Sequence, residues 1–196
     1  MSNGRESRVE GREAGEPAAE PASGGAVWML LLVFGLGAAI LITLQALRPK
    51  PASPYVGHPL PMLQASGWIN VDKPVSNDDL RGKLVLVDFW ATWCRPCVQG
   101  IPDLIEFNKR YRDTGVRVIG LTAEDGDDVA HVKRFVEVRD GMTWPVGYGA
   151  RLPFQMLGIE GIPTYMLFDR SGTSVWGSHS LDGIEDVLLP LLAEKK

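Results

Sequence analysis

The only two cysteines of this chain, Cys94 and Cys97, follow directly on the apolar run LVLVDFW of residues 84–90. That run reads as a buried central strand. After Cys94, apolar side chains recur at helical spacing, at Val98, Ile101, Leu104 and Ile105. A strand that feeds a helix at this point commits the chain to an α/β arrangement. Two thiols placed C-x-x-C at such a junction can close a disulfide with each other and reopen it, which points to thiol–disulfide exchange.

The strand-to-helix position also assigns roles to the two sulfurs. The thiolate is the attacking species, and unpaired N–H groups at a helix start stabilise negative charge. Cys94 would sit there, exposed, with Arg95 adding a cation and Pro96 fitting a first turn that needs no N–H. Cys97 lies one turn on and deeper. Cys94 is therefore expected to attack and Cys97 to resolve.

Further elements follow from period and punctuation. Strands are expected over 116–122, 164–169 and 173–178, with a hairpin turn at Asp169-Arg170-Ser171-Gly172. Helices are expected over 94–112, 127–139, 152–157 and 184–193, the last capped by Asp182 and bent or interrupted at Pro190. The result is a central mixed sheet flanked by helices over residues 60–196.

Three segments precede that domain. Residues 1–25 hold almost no large apolar side chain and are expected to be disordered. Residues 26–47 form an uncharged apolar run. At about 1.5 Å per residue it would reach roughly 33 Å, so a transmembrane anchor is expected there, with Trp28 as an interfacial aromatic. Leu44-Gln45-Ala46 is a poor cleavage site, which favours a retained helix over a signal peptide. Residues 48–59 read as a Pro-rich, semi-extended spacer. Arg8 and Arg12 before the anchor balance Arg48 and Lys50 after it, so charge alone does not orient it.

The net charge of -4 leaves no basic stripe, and nucleic acid is not an expected partner. Two cysteines are too few for a zinc site without a histidine, and His58, His131 and His179 are not at ligand spacing. All three read as surface or loop residues.

The segment Val87 through Cys97, VDFWATWCRPC, resembles the active-site segment of the thioredoxin superfamily. VGHP at 56–59, LRGK at 80–83 and GIPTYMLFDRSG at 161–172 resemble its membrane-anchored branch, the TlpA-like and ResA-like thiol–disulfide oxidoreductases. The resemblance implies a thioredoxin-like fold with a cis Ile162–Pro163 bond facing the cysteines. It implies that Ile162 and Pro163, with Trp93, Arg95 and Pro96, contact substrate, and that Trp90 and Trp93 frame the site. It makes Asp88 a buried carboxylate beneath Cys97 that moves that thiol's proton. Gly120 would stand where cytoplasmic thioredoxin places a lysine. The implied protein is an extracytoplasmic, membrane-tethered enzyme with no bound cofactor. It would reduce disulfides of substrate proteins, for example apocytochrome c, with electrons from a membrane thiol donor. Two other functions fit less well. Peroxide reduction calls for a threonine three residues before the reactive cysteine, where Ala91 stands. A copper-binding module needs wider cysteine spacing and a placed histidine.

Overall fold

A computed structural model describes residues 28–38 and 53–194, which belong to two units, Met1–Lys50 and Pro51–Lys196. In the first unit residues 28–38 form a helix, α1, whose large side chains, Leu32 and Phe34 among them, are exposed. Among the described residues no helix is long and apolar enough to cross a membrane. The expected tail over 1–25 and the parts of the expected anchor over 26–27 and 39–47 lie outside the described residues.

The second unit is built on one six-stranded mixed sheet, in the order β1-β4-β3-β2-β5-β6. Its strands are β1 (Gly67–Ile69), β2 (Leu84–Phe89), β3 (Val116–Leu121), β4 (Val146–Tyr148), β5 (Thr164–Phe168) and β6 (Ser174–Ser178). β2 runs parallel to β3 and antiparallel to β5. All six residues of β2 are buried, as expected for a strand covered on both faces.

Alternation along the strands divides the core. Leu84, Leu86, Trp90, Val118 and Leu167 face α3 (Arg95–Tyr111), α4 (Val129–Glu137) and α6 (Ile184–Ala193). Val85, Val87, Phe89, Ile119 and Met166 face the other way, towards Leu80 of α2 (Asn77–Leu80) and the region of α5 (Arg151–Met156). Asp88 has the parity of the first set, so its side chain enters the layer between β2 and α3.

Several local expectations change. The N-cap of α6 is Gly183 rather than Asp182, and the Asp182 carboxylate instead accepts from the Ser180 hydroxyl at 2.9 Å. It also continues through Pro190 without interruption. The head of the 127–139 segment is a 3-10 turn, Gly126–Asp128, and only Val129–Glu137 is α-helix. β1 and β4 escape a reading by period because three residues carry no measurable alternation. From Ser53 onward the proline-rich segment is attached to β6. Gly57 N–H donates to Ser174 O at 2.8 Å, Leu60 N–H donates to Gly172 O at 2.7 Å, and Pro59 bridges Thr173. That contact covers a sheet edge that would otherwise present unpaired backbone groups.

Candidate active site

Cys94 is the N-cap of α3, and its sulfur accepts the Cys97 backbone N–H at 3.2 Å. Pro96 occupies the first turn, where a missing N–H costs nothing. Cys94 and Cys97 form a disulfide with their Cα atoms 5.3 Å apart, within the span such a bond allows. The sulfur of Cys94 thus rests on the positive end of a 17-residue helix, where a thiolate released by reduction is stabilised.

Exposure departs from expectation. Cys94 is only 4% exposed, close to the 2% of Cys97, and both join the core cluster that holds Trp90, Ala91 and Ile101. As the cap of a helix packed on the sheet, Cys94 is drawn under the surface. Trp93 is 74% exposed beside it, while Trp90 is buried and packs on Phe135 at 5.2 Å between ring centroids. Trp93 therefore borders the site from outside and Trp90 supports it from within. Arg95 and Pro96 are both exposed.

On the α3 side of the sheet, Asp88 stands between Gly120 of β3 and Tyr165 of β5 in the ladder. Its Oδ1 has no hydrogen-bond partner. Burial with no compensating charge pushes the Asp88 carboxyl up to about 8. Burial, and then the nearby carboxylates of Asp88 and Asp103, push the Tyr165 hydroxyl up as well. Tyr165 reaches this layer because Gly100 of α3 has no side chain. A Cβ there would meet the Tyr165 hydroxyl oxygen at 2.8 Å.

The Ile162–Pro163 bond is cis. Pro163 is buried, and Ile162 packs on both core clusters. Ile162 also shares a cleft of about 270 Å³ with Trp93, Ala91, Glu124 and Phe154. Two further side chains, Glu124 and His179, fix this neighbourhood. Glu124 accepts from Thr92 N–H at 2.8 Å, from the Thr122 hydroxyl at 2.8 Å and from the Thr92 hydroxyl. It ties the loop before Cys94 to the end of β3. His179 is exposed, as expected. Its Nδ1 lies 2.6 Å from the Pro163 carbonyl oxygen. A carbonyl only accepts, so Nδ1 carries the hydrogen. Thr164 donates its hydroxyl to Gly161 O at 2.7 Å, so residues 161–164 are held at both ends. Neither Glu124 nor His179 belongs to a motif or a period, and only long-range contact reveals them. Among the described residues no three His, Cys, Asp or Glu side chains cluster as a metal site.

A cysteine pair capping the helix that leaves the central strand of a mixed sheet, with a cis-proline loop before the neighbouring strand, defines a thioredoxin-like fold. The Redoxin family model matches residues 56–180, well over half of the chain, and the chain belongs to that family. Thiol-disulfide oxidoreductase ResA of Bacillus thuringiensis (strain Al Hakam) is 36% identical over 105 residues, 53% of this chain and 58% of that protein. The chain thus spans less than two-thirds of that relative's length. Among solved structures, a thioredoxin-like superfamily protein superposes with a TM-score of 0.61 at 25% identity, covering 70% of this chain and 97% of the other. A thiol-disulfide isomerase from Corynebacterium glutamicum superposes with a TM-score of 0.57 at 30% identity, covering 69% and 98%.

Proposed function

We propose that this protein is a membrane-tethered, extracytoplasmic thiol–disulfide oxidoreductase that reduces disulfides in substrate proteins, apocytochrome c among them. The observation that carries the reading is the Cys94–Cys97 disulfide with the Cys94 sulfur on the N-terminus of α3. The similarity to a ResA thiol-disulfide oxidoreductase supports it.

In the reduced protein the Cys94 thiolate attacks one sulfur of the substrate disulfide. One substrate thiolate leaves, and the other half stays bonded to Cys94. Cys97 then gives its proton to the Asp88 carboxylate and attacks the Cys94 sulfur. The second substrate thiolate departs and the Cys94–Cys97 disulfide returns. Two electrons have passed to the substrate, and a membrane thiol donor restores them. Ile162 and Pro163, with Trp93, Arg95 and Pro96, line the approach along which an extended substrate segment lies. The apolar stretch 26–47 serves as the anchor, supported by its uninterrupted composition and by the exposed apolar side chains of α1.

Trapping tests the order of attack. Cys97→Ser should accumulate a mixed disulfide through Cys94, while Cys94→Ser should form none and reduce nothing. Low-dose alkylation of the reduced protein that labels Cys97 ahead of Cys94 would reverse the roles.

A further inference from the structure

Three buried side-chain polar atoms among the described residues have no hydrogen-bond partner: Asp88 Oδ1, Trp90 Nε1 and Trp144 Nε1. Buried polar atoms are rarely left so, because each has given up its hydration with nothing in return. These three come from β2, from the loop after it and from the loop before β4, yet they meet at one residue. Gly120 is the ladder partner of Asp88 on the β3 side. A Cβ on Gly120 would lie 3.1 Å from Trp144 Nε1 and 3.2 Å from Trp90 Nε1. An indole N–H only donates, and an ionised carboxylate only accepts. Two unmatched donors and one unmatched acceptor around a residue with no side chain are chemically complementary.

We propose that Trp90 and Trp144 are positioning residues that hold the Asp88 carboxylate through one internal water seated beside Gly120. A water with about three polar partners is the usual buried water. Its lone pairs accept from the two indoles and one of its hydrogens goes to Asp88 Oδ1. With both lone pairs engaged, the water is a better donor. The ionised form of Asp88 gains most from it, and that is the form that takes the proton of Cys97. The inference rests on the reading of Asp88 as that base, and it supplies the support that the missing lysine would otherwise give.

The ionisable groups around Asp88 are few. α3 contributes Cys94 and Cys97, which do not titrate while bonded to each other. Asp103, also on α3, acts on Tyr165 from β5. β3 offers only Gly120. His131 of α4 and Arg139 just beyond its end lie against Phe135, which packs on Trp90.

The test uses the full-length, oxidised chain in detergent micelles, with isotope labels on the tryptophan indoles and the aspartate carboxyls. Between pH 5 and 10 the Trp90 and Trp144 indole N–H resonances should move together, at the midpoint of the Asp88 carboxyl carbon. In Asp88→Asn that shared transition should vanish. Trp144→Phe keeps the ring and removes the donor, and should raise the Asp88 midpoint by about one pH unit. Gly120→Ala, with its fold checked by thermal unfolding, should do the same by filling the seat. Flat indole resonances while Asp88 titrates would overturn the inference, as would an unchanged Asp88 midpoint in folded Trp144→Phe. The base reading stands or falls separately, on the rate at which Asp88→Asn resolves its mixed disulfide. An unchanged rate there removes the base and leaves the indole measurement to decide the water.

Discussion

Asp88 is the residue at which the fold gives up stability. Its carboxyl is raised to about 8 by burial, whereas in the unfolded chain it titrates near 3.9. Between those values the folded state holds the proton and the unfolded state has released it. Stability therefore falls as pH rises from about 4 to about 8 and then levels. Asp88→Asn should be more stable than the parent by about 1 kcal/mol near pH 5 and by a few kcal/mol near pH 8. Thermal unfolding at both pH values checks it, and an equal gain at both would locate the cost elsewhere. Mixed-disulfide resolution should slow in the same variant, with the first attack by Cys94 affected less. Asp88 could be picked out in the sequence because a carboxylate within LVLVDFW breaks an apolar run. Glu124 could not, because it sits in the polar segment TAEDGDD and becomes special only when folding brings Thr92 to it.

At the scale of elements, two short loops meet at the head of α3. One carries Trp93 and Cys94 out of β2, and Glu124 holds it. The other carries Pro163 into β5, and His179 holds it. Glu124→Ala would strand the Thr92 N–H and the Thr92 and Thr122 hydroxyls, at a cost of about 2–4 kcal/mol. Glu124→Gln keeps one good acceptor and should fall between. Denaturant unfolding measures the cost, and hydrogen exchange at the Thr92 amide locates it. A Thr92 amide as protected in Glu124→Ala as in the parent would mean that another contact holds the loop. α3 itself was readable from its spacing, and its start at Arg95 follows from the cap geometry of Cys94. α2 was not, since four residues closed by the Ser76–Asp79 capping box show no period.

Across the whole molecule, the proposed topology places residues 53–194 outside the cytoplasm, where disulfide chemistry is useful. Protease added to intact spheroplasts should digest that part of the chain before lysis. Protection until lysis would reverse the topology and remove secreted proteins as substrates. Residues 53–60, expected as part of the spacer, are attached along β6 and belong to the domain.

The amino-acid sequence alone determined the α/β class, the mixed sheet, the dithiol at the head of a helix and the suspect carboxylate below it. Each of these is a local pattern, set by period, spacing or one polar residue in an apolar run, and local patterns survive without the fold. The partners of those residues were decided only in three dimensions. Trp144 reaches Gly120, Tyr165 reaches across Asp88 into space left by Gly100, and Glu124 reaches Thr92, over separations that no window of sequence contains. The burial of Cys94 was settled there too. A helix start is exposed or covered according to what packs on it, and packing is a property of the assembled layers.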